Sequence, residues 1–485
     1  MEYTSAGLRI FNCKTLNVSN QTFEPAEVTL FKTHTQGLSR TDFYKTCEKR
    51  VLSHSVNYFT PWRCLMKEPV INDFAAVIGI DWADKKHDVC EIPNKTQICQ
   101  YNVIANKPQA LNDWAISLAK RYPGQSVAVG CELKKGPLIY ALSKFEHITL
   151  FPINPTTLAK YRKAFTTSGA KNDPADAFLQ ADILIRHWDN FSPIIPESAE
   201  IRILAQLLEY RRKLVQDRVG LSNSITAYLK NYFPQVLDWF KEKDTIIFCD
   251  FLSNWSTLDA IKKAKKRTLF NFFNKHNSRY SDVNEKRFSD IKAAVTLTDD
   301  RGVIEPNRIM VEVLILQFKL LIGSIDRMDR EIRQVYKTLE DKNIFSSFPG
   351  AGPQIAPRLL VAFGQNRERY QSASDLQKLA GIAPVIEQSG QKKWVHWRYS
   401  CPTFLRQTFV EWAGLSIRYS FWAKAYYEQQ IAKGKPHNTV IRALAFKWIR
   451  IAFRCWKNNT TYDESTYLNA LKKQGSPLLR YAVDG

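Results

Sequence analysis

From Phe74 onward, short apolar runs alternate with polar turns, and the apolar runs have the length of buried strands. The runs lie at residues 74–80, 87–92, 98–103, 126–131 and 148–153. Between the third and fourth runs, residues 108–122 show helical spacing, with Leu111, Trp114, Ala115 and Leu118 on one face. Strands that first follow one another and then alternate with helices predict a mixed sheet flanked by helices.

Farther along the chain the pattern changes to long helices. Residues 201–232 are predicted to be helical and are heavily charged. A stronger helical signal repeats at alternating spacings of three and four residues, at Val311, Leu314, Phe318, Leu321, Ile325, Met328, Ile332, Val335 and Leu339. This heptad seam has to pack on another helix, and the two predicted partners are residues 201–232 and a second subunit.

The patterns divide the chain into four segments. We predict an α/β domain over residues 66–195, a helical coiled-coil domain over 196–342 and a mainly α-helical domain over 343–485. The last domain opens with FPGAGPQIA at residues 348–356, which resembles a helix-hairpin-helix motif, although Pro357 is expected to disturb the second helix of that motif. Residues 1–65 lack sustained periodicity. Two interpretations stay open for them: a true start at Met66, or a poorly ordered extension with no chemistry of its own.

The composition indicates a partner with many negative charges. The 485 residues include 69 Lys and Arg against 47 Asp and Glu, a net charge of +22, which favours nucleic acid over an anionic membrane. No apolar run has the length of a transmembrane helix, and the N-terminus lacks the apolar region of a secretory signal. Nine cysteines without a CxxC pair and eight histidines without HExxH predict reduced thiols, a cytoplasmic location and no zinc site.

The positive charge is concentrated near the C-terminus. Residues 392–460 contain 13 basic residues, and their acidic residues are Glu411 and Glu428. We therefore predict a nucleic-acid surface there. Its candidate residues are Lys392, Lys393 and Arg398 and a helical row that we call the basic stripe, Lys447, Arg450, Arg454 and Lys457.

Four carboxylates are predicted where strands end or helices begin. Asp81 ends the first strand, Glu132 follows the strand 126–131, and Asp173 and Asp176 lie on one face of a helix start. Such oxygens are the ligands that Mg²⁺ and Mn²⁺ prefer, and two ions can support phosphodiester cleavage. Taken singly, each acid is more often structural: Asp173 resembles an N-cap, and Asp176 the acidic residue of a capping box.

Ser389 lies in a predicted loop, just before a glycine and a basic stretch that includes Lys392 and Lys393. A serine hydroxyl is a poor nucleophile unless a base, a metal or a cationic setting activates it. His396 and Arg398 are further candidates for stabilising an attacked phosphate. On the residues alone, a plain turn serine is the better interpretation of Ser389.

Taken together, these blocks resemble the insertion sequence 110 family, the DEDD transposases that act as bridge-RNA-guided recombinases. The resemblance covers about residues 74–460 and rests on the order of GID at 79–81, CE at 131–132, DPADA at 173–177, PGAGP at 349–353, AGIAP at 380–384 and QSG at 388–390. It implies an RuvC-like (RNase H-like) domain, a helical coiled-coil insert and a C-terminal transposase domain with a catalytic serine.

Carried over by position, the resemblance implies that Asp81, Glu132, Asp173 and Asp176 bind Mg²⁺ (or Mn²⁺). Ser389 would attack a DNA phosphodiester and form a phosphoserine intermediate. The implied partners are DNA, a structured bridge RNA that pairs with target and donor DNA, and further copies of the chain in a dimer or tetramer.

Three functions stay open at this point. The leading hypothesis is a DNA transposase that cuts, exchanges and rejoins strands. The second is a metal-dependent nuclease or Holliday-junction resolvase in which Ser389 is only structural. The third is a non-catalytic scaffold that binds nucleic acid.

Overall fold

A computed structural model describes residues 73–132, 135–165, 173–476 and 478, so the predictions made for residues 1–65 lie outside it. All five predicted strands are confirmed, with small shifts at their ends. They are β1 (Phe74–Asp81), β2 (Lys86–Pro93), β3 (Gln100–Ala105), β4 (Ser126–Cys131) and β5 (Ile148–Pro152).

The five strands form one mixed sheet in the order β3-β2-β1-β4-β5. β1, β2 and β3 pair antiparallel, whereas β4 pairs parallel with both β1 and β5. Because β1 and β4 are adjacent and parallel, both end at the same edge of the sheet. This edge receives two of the predicted acids.

Helices cover both faces of the sheet. The first face packs on α1 (Pro108–Arg121) and α2 (Pro137–Leu142), and the four apolar residues predicted for α1 are all buried. The second face packs on α4 (Asp173–Arg186), which is supported by α3 (Pro155–Phe165). Burial on both faces explains why β1 and β4 are almost continuously apolar.

A glycine sets the distance between α4 and the sheet. A Cβ added at Gly79 would overlap the carbonyl oxygen of Ala177 and lie 2.7 Å from the backbone nitrogen of Ala181. The helix therefore lies directly on the β1 backbone, which a larger side chain would prevent. Gly130 of β4 faces the same helix, where an added Cβ would lie 3.1 Å from the Gln180 carbonyl oxygen.

Two long helices follow the sheet. They are α5 (Ala199–Tyr232) and α11 (Arg301–Thr338). Five shorter helices lie between them in the chain: α6 (Val236–Trp239), α7 (Ile246–Asn254), α8 (Leu258–Lys262), α9 (Lys266–Lys275) and α10 (Ser281–Ala293). α11 packs along α5, and an ion pair joins Arg211 and Asp329 across the two helices at 2.5 Å.

The heptad seam faces α5, so the first of its two predicted partners lies in the same chain. Every second seam residue is buried, at intervals of seven positions, namely Val311, Phe318, Ile325, Ile332 and Leu339, whereas the seam residues between them are half-buried. The alternation follows from helix geometry, because one position of each heptad points directly at the neighbouring helix and the other lies to its side.

The C-terminal region is mainly helical. Its helices are α12 (Lys342–Ser346), α13 (Ala356–Phe363), α14 (Ala373–Leu379), α15 (Thr403–Ser416), α16 (Phe421–Ala432), α17 (His437–Lys457) and α18 (Glu464–Lys473). Four fully buried indoles, Trp412, Trp422, Trp448 and Trp456, lie in a core that also includes Ile201 and Ile332. The C-terminal helices therefore share one core with parts of α5 and α11.

Two features of this region differ from the sequence-based expectations. Ser389 was expected in a loop, but it is the last residue of β6 (Val385–Ser389), which pairs antiparallel with β7 (Lys392–His396). The strands are almost wholly exposed, so the apolar alternation that predicts a strand is weak. Pro357, expected to disturb a helix, lies in the first turn of α13, where the missing N–H costs nothing.

The structure also corrects the expectation that the thiols are reduced throughout. Cys90 of β2 and Cys99, which directly precedes β3, are joined as a disulfide, with Cα atoms 6.2 Å apart. The turn between the antiparallel strands brings the two side chains together. As for membranes, the described segments contain no helix that is long and apolar enough to span a bilayer.

Candidate functional site

Two of the predicted acids lie at the ends of adjacent parallel strands, Asp81 as the last residue of β1 and Glu132 directly after β4. Ile80 of β1 lies opposite Cys131 of β4, and the next residues along the chain are Asp81 and Glu132. Gly79 and Gly130 face α4, so alternation along the strands directs the side chains two residues later toward the same helix. Asp81 is buried, and Glu132 is half-exposed.

The other two acids lie at the N-terminal end of α4. Asp173 is the first residue of the helix, and Asp176 lies in its first turn. Ala177 contacts Gly79, two residues before Asp81, so the beginning of α4 lies beside the ends of β1 and β4. The structure thus brings the four predicted acids to one region, which we call the acidic corner.

Asp176 has the most informative environment in the acidic corner. It is 1% exposed, and its Oδ1 accepts a hydrogen bond from Arg162 Nε of α3 at 2.6 Å. Its Oδ2 is buried and has no hydrogen-bond partner among the described residues. A buried carboxylate oxygen left unpaired costs about 1–3 kcal/mol, and a bound cation would remove that cost.

The donor chemistry of the acidic corner fits a hard divalent cation, because all four side chains offer carboxylate oxygens. The residues that the structure describes do not, however, include a group of three His, Cys, Asp or Glu side chains arranged to hold a metal ion. The acids therefore lie close in the fold without converging as a complete ligand set.

Three further polar residues, none of them predicted from the sequence, lie near the acidic corner. Asp88 of β2 lies opposite Asp81 and is 3% exposed, Arg162 pairs with Asp176, and Gln180 is fully buried one turn beyond Asp176. Neither polar atom of the Gln180 amide has a hydrogen-bond partner among the described residues. Asp88 could have been noticed from the sequence, because it is a charged residue inside an apolar strand run. Nothing in the local sequence singles out Arg162 or Gln180.

The second predicted centre is the β6–β7 hairpin. Ser389 lies opposite Lys392, and Gln388 lies opposite Lys393, so both lysines are at the tip beside the serine. All three side chains are exposed. Gly390, at the turn, has a φ of +58°, which glycine adopts without strain.

The other two basic candidates lie away from the tip of the hairpin. His396 is opposite Val385, at the far end of the strands, and its Nε2 lies 3.3 Å from Glu387 Oε2. Arg398 Nε donates to the Ala383 carbonyl oxygen at the base of the hairpin. The cationic surroundings of Ser389 within the hairpin are therefore Lys392 and Lys393.

The basic stripe is not uniform. Arg450 and Arg454 are exposed on α17, whereas Lys447 is half-buried, 4.9 Å from the ring centre of Tyr426. Lys457 donates to Glu368 Oε1 at 2.9 Å and to the Arg367 carbonyl oxygen at 2.7 Å. The exposed arginines are the members best placed to reach a phosphate.

Two family models match the chain, and both describe transposases. A DEDD transposase model matches residues 78–234, and a model described as transposase IS116/IS110/IS902 family matches residues 342–428. The first range contains the acidic corner, and the second contains Ser389. The protein is thus an enzyme of the transposase class. The chain belongs to the IS110 family of transposases.

Individual relatives agree with this assignment. A mini-circle protein of Streptomyces coelicolor assigned as the transposase for IS117 is 24% identical over 420 residues, covering 84% of this chain and 98% of the relative. An uncharacterized 42 kDa protein of the insertion element IS900 of Mycobacterium paratuberculosis is 23% identical, covering 80% and 97%. The pilin gene-inverting protein of Moraxella bovis is 29% identical over 151 residues, covering 29% and 46%.

Proposed function

We propose that this transposase cleaves and rejoins DNA strands with a Mg²⁺-binding (or Mn²⁺-binding) acidic corner and with Ser389 as the nucleophile. The observation that carries the proposal is the position of Ser389. Its side chain is exposed at the tip of an almost wholly exposed hairpin, next to Lys392 and Lys393. A structural serine needs no such setting, whereas a nucleophile that attacks a DNA backbone has to be both accessible and surrounded by positive charge.

The proposed step is a phosphoryl transfer. The Ser389 hydroxyl loses its proton, its Oγ forms a bond to phosphorus, and the bond from phosphorus to one bridging DNA oxygen breaks. That oxygen leaves as a DNA hydroxyl after taking up a proton. Attack by a hydroxyl of another strand on the phosphoserine reverses these changes, releases Ser389 and rejoins the DNA. Lys392 and Lys393 offset the charge that develops on the non-bridging oxygens.

In the proposed site, Asp81, Glu132, Asp173 and Asp176 hold the divalent cation. When bound, the metal would lower the pKa of the attacking hydroxyl and offset the charge on the leaving oxygen. The unpaired Oδ2 of Asp176 supports this role, since a cation would supply its missing partner. The mixed sheet with helices on both faces supports the finer proposal of an RuvC-like domain.

We also propose self-association as a dimer or tetramer through α11, so that the acidic corner and Ser389 can come from different subunits. Besides the seam that faces α5, α11 carries a second apolar row. Its residues are all at least 41% exposed: Ile309, Met310, Val313, Leu316 and Leu320. Ile309, Val313, Leu316 and Leu320 are spaced by four, three and four residues, and Met310 lies beside this row. An exposed apolar row of this kind is typical of a helix-pairing surface.

A structured guide RNA is the remaining proposed partner. The C-terminal surface is strongly basic, but no base-reading motif is evident in the sequence. Phosphate contacts position a nucleic acid without reading its sequence, so base pairing to an RNA would supply the choice of donor and target DNA.

Covalent trapping tests the proposal. Purified protein, Mg²⁺, RNA transcribed from the flanks of the element and labelled donor DNA are mixed and run on a denaturing gel. We expect a labelled protein–DNA adduct with the wild type and with Ser400→Ala, a nearby exposed serine that serves as control, and none with Ser389→Ala. Cleaved DNA without an adduct would instead favour the metal-dependent nuclease or junction resolvase. Bound RNA and DNA without cleavage would favour the scaffold.

A further inference from the structure

A cleft of about 480 Å³ lies next to the β6–β7 hairpin, between α16, α17 and the segment that leads into β6. Its charged lining residues are Arg442, Lys447 and Arg450, and none of its lining residues is acidic. The three cations lie on successive turns of α17. Only Lys447 and Arg450 belong to the predicted basic stripe; the inward-facing Arg442 was not predicted.

The guanidinium of Arg442 is held in place but not paired. Its Cζ lies 3.2 Å from the ring centre of Trp397, so the planar group stacks on the indole. Its Nε is buried and lacks a hydrogen-bond partner in the part of the chain that the structure describes. Burial lowers the pKa of Arg442 from its ordinary value, yet an arginine keeps its charge at neutral pH. A fixed, charged donor group therefore faces the cleft without a counterion.

Lys447 is in a similar position. Its ammonium lies above the Tyr426 ring, and burial, followed by repulsion from Arg450, lowers its pKa. The ion pairs between described residues include none with Arg442, Lys447 or Arg450. Three like charges around one cleft without a carboxylate repel one another, and a bound anion would relieve that repulsion.

We propose that the cleft of Arg442, Lys447 and Arg450 binds a backbone phosphate of a nucleic-acid strand. This inference rests on the proposed function and extends it, because it specifies where the strand beyond Ser389 is held. Arg442 supplies planar donors suited to phosphate oxygens, and the Thr439 hydroxyl lines the same cleft.

The distance to Ser389 fits a contact on the same nucleic acid. Pro384 lines the cleft, and the chain from Pro384 to Ser389 spans five steps, about 17 Å when extended. A length of this order is short enough for the cleft and Ser389 to contact one nucleic-acid molecule.

Equilibrium binding of full-length protein tests the proposal. The probes are a fluorescein-labelled DNA duplex and an RNA of the same sequence, each titrated at several salt concentrations. The variants are Arg442→Gln, Lys447→Gln and Arg450→Gln, with Lys433→Gln as an exposed control at the end of α16. Each cleft variant should weaken binding about tenfold, as expected for the loss of one charge-assisted phosphate contact, and reduce the salt slope by about 0.9. The control should change binding less than about twofold.

Two further variants keep the result interpretable. Arg450 is exposed, so its replacement should leave folding intact, as circular dichroism would show. Arg442→Lys keeps the charge and should lose less affinity than Arg442→Gln. A loss confined to the DNA probe or to the RNA probe supports the phosphate site and identifies its source. Affinities and salt slopes equal to those of Lys433→Gln would overturn the inference.

Failure of the proposed function would look different. Ser389→Ala should bind both probes as tightly as the wild type, because it leaves the cleft unchanged. If covalent trapping yields no adduct while the cleft variants still lose affinity, the nucleophile assignment fails and the phosphate site stands. If the adduct forms while the cleft variants bind normally, the nucleophile assignment stands and the phosphate site fails.

Discussion

Replacement of Asp176 by asparagine separates a metal ligand from a structural acid. The change keeps the size of the side chain and removes its charge. In the metal-free protein two effects oppose each other. The weaker bond to Arg162 costs about 1–2 kcal/mol, while the penalty of the unpaired Oδ2, about 1–3 kcal/mol, is reduced. The free energy of unfolding without metal should therefore change by less than about 2 kcal/mol.

The effect of metal should be larger. A ligand at 100 times its Kd stabilises a folded protein by about 2.7 kcal/mol. At about 2 °C per kcal/mol, saturating Mg²⁺ or Mn²⁺ should raise the Tm of the wild type by about 5 °C. Asp176→Asn should abolish most of this increase, because a neutral amide is a weaker ligand for a hard cation than a carboxylate.

Differential scanning fluorimetry with and without the metal measures both effects. Asp182→Asn is the matched control. Asp182 is also a largely buried acid of α4, and it accepts hydrogen bonds from Arg186 Nε at 2.7 Å and from the Tyr161 hydroxyl at 2.6 Å. It lies nearly two turns beyond Asp176, so Asp182→Asn should lower the Tm and still show the full metal-dependent increase. An unchanged metal response in Asp176→Asn would refute the assignment of this residue as a ligand.

Two further predictions concern packing and assembly. Gly79→Ala should destabilise the protein by about 1–3 kcal/mol, because the new Cβ would overlap the Ala177 carbonyl. Gly323→Ala is the control: Gly323 has open space around it in α11, so this change should stabilise the protein by up to about 1 kcal/mol. Urea unfolding measures both free-energy changes. Replacing Leu316 and Leu320 by lysine should shift the protein toward the monomer in analytical ultracentrifugation while the circular dichroism spectrum stays that of the folded protein, since both side chains are exposed in the single chain. An unchanged sedimentation profile would show that this row is not the self-association surface.

Regular patterns of apolar residues were sufficient to predict the strands of the sheet and the two longest helices. The five strands of the sheet, the buried face of α1 and the heptad seam of α11 were all predicted from spacing, because burial on one side of an element leaves a periodic record in the sequence. The β6–β7 hairpin leaves no such record, since almost all of its side chains are exposed and its pairing depends on backbone hydrogen bonds.

For the four acids, too, the sequence predicted the positions along the chain but not the contacts between them. Asp81 and Glu132 could be placed at strand ends, but only the parallel pairing of β1 with β4 and the contact between Gly79 and Ala177 brought them beside the start of α4. The pairing of Asp176 with Arg162 joins two helices, and nothing in the local sequence indicates it.

From the sequence we could predict the order of the elements, the basic character of the C-terminal region and the motifs shared with a transposase family. Which charges are available depends on the tertiary structure. Lys457 and Arg442 belong to the same basic helix, yet Lys457 pairs with Glu368 whereas Arg442 stacks on Trp397. The reason is physical: periodicity records which side of a helix is buried, whereas the partner of a charge depends on residues distant in the chain that folding brings within a few ångströms.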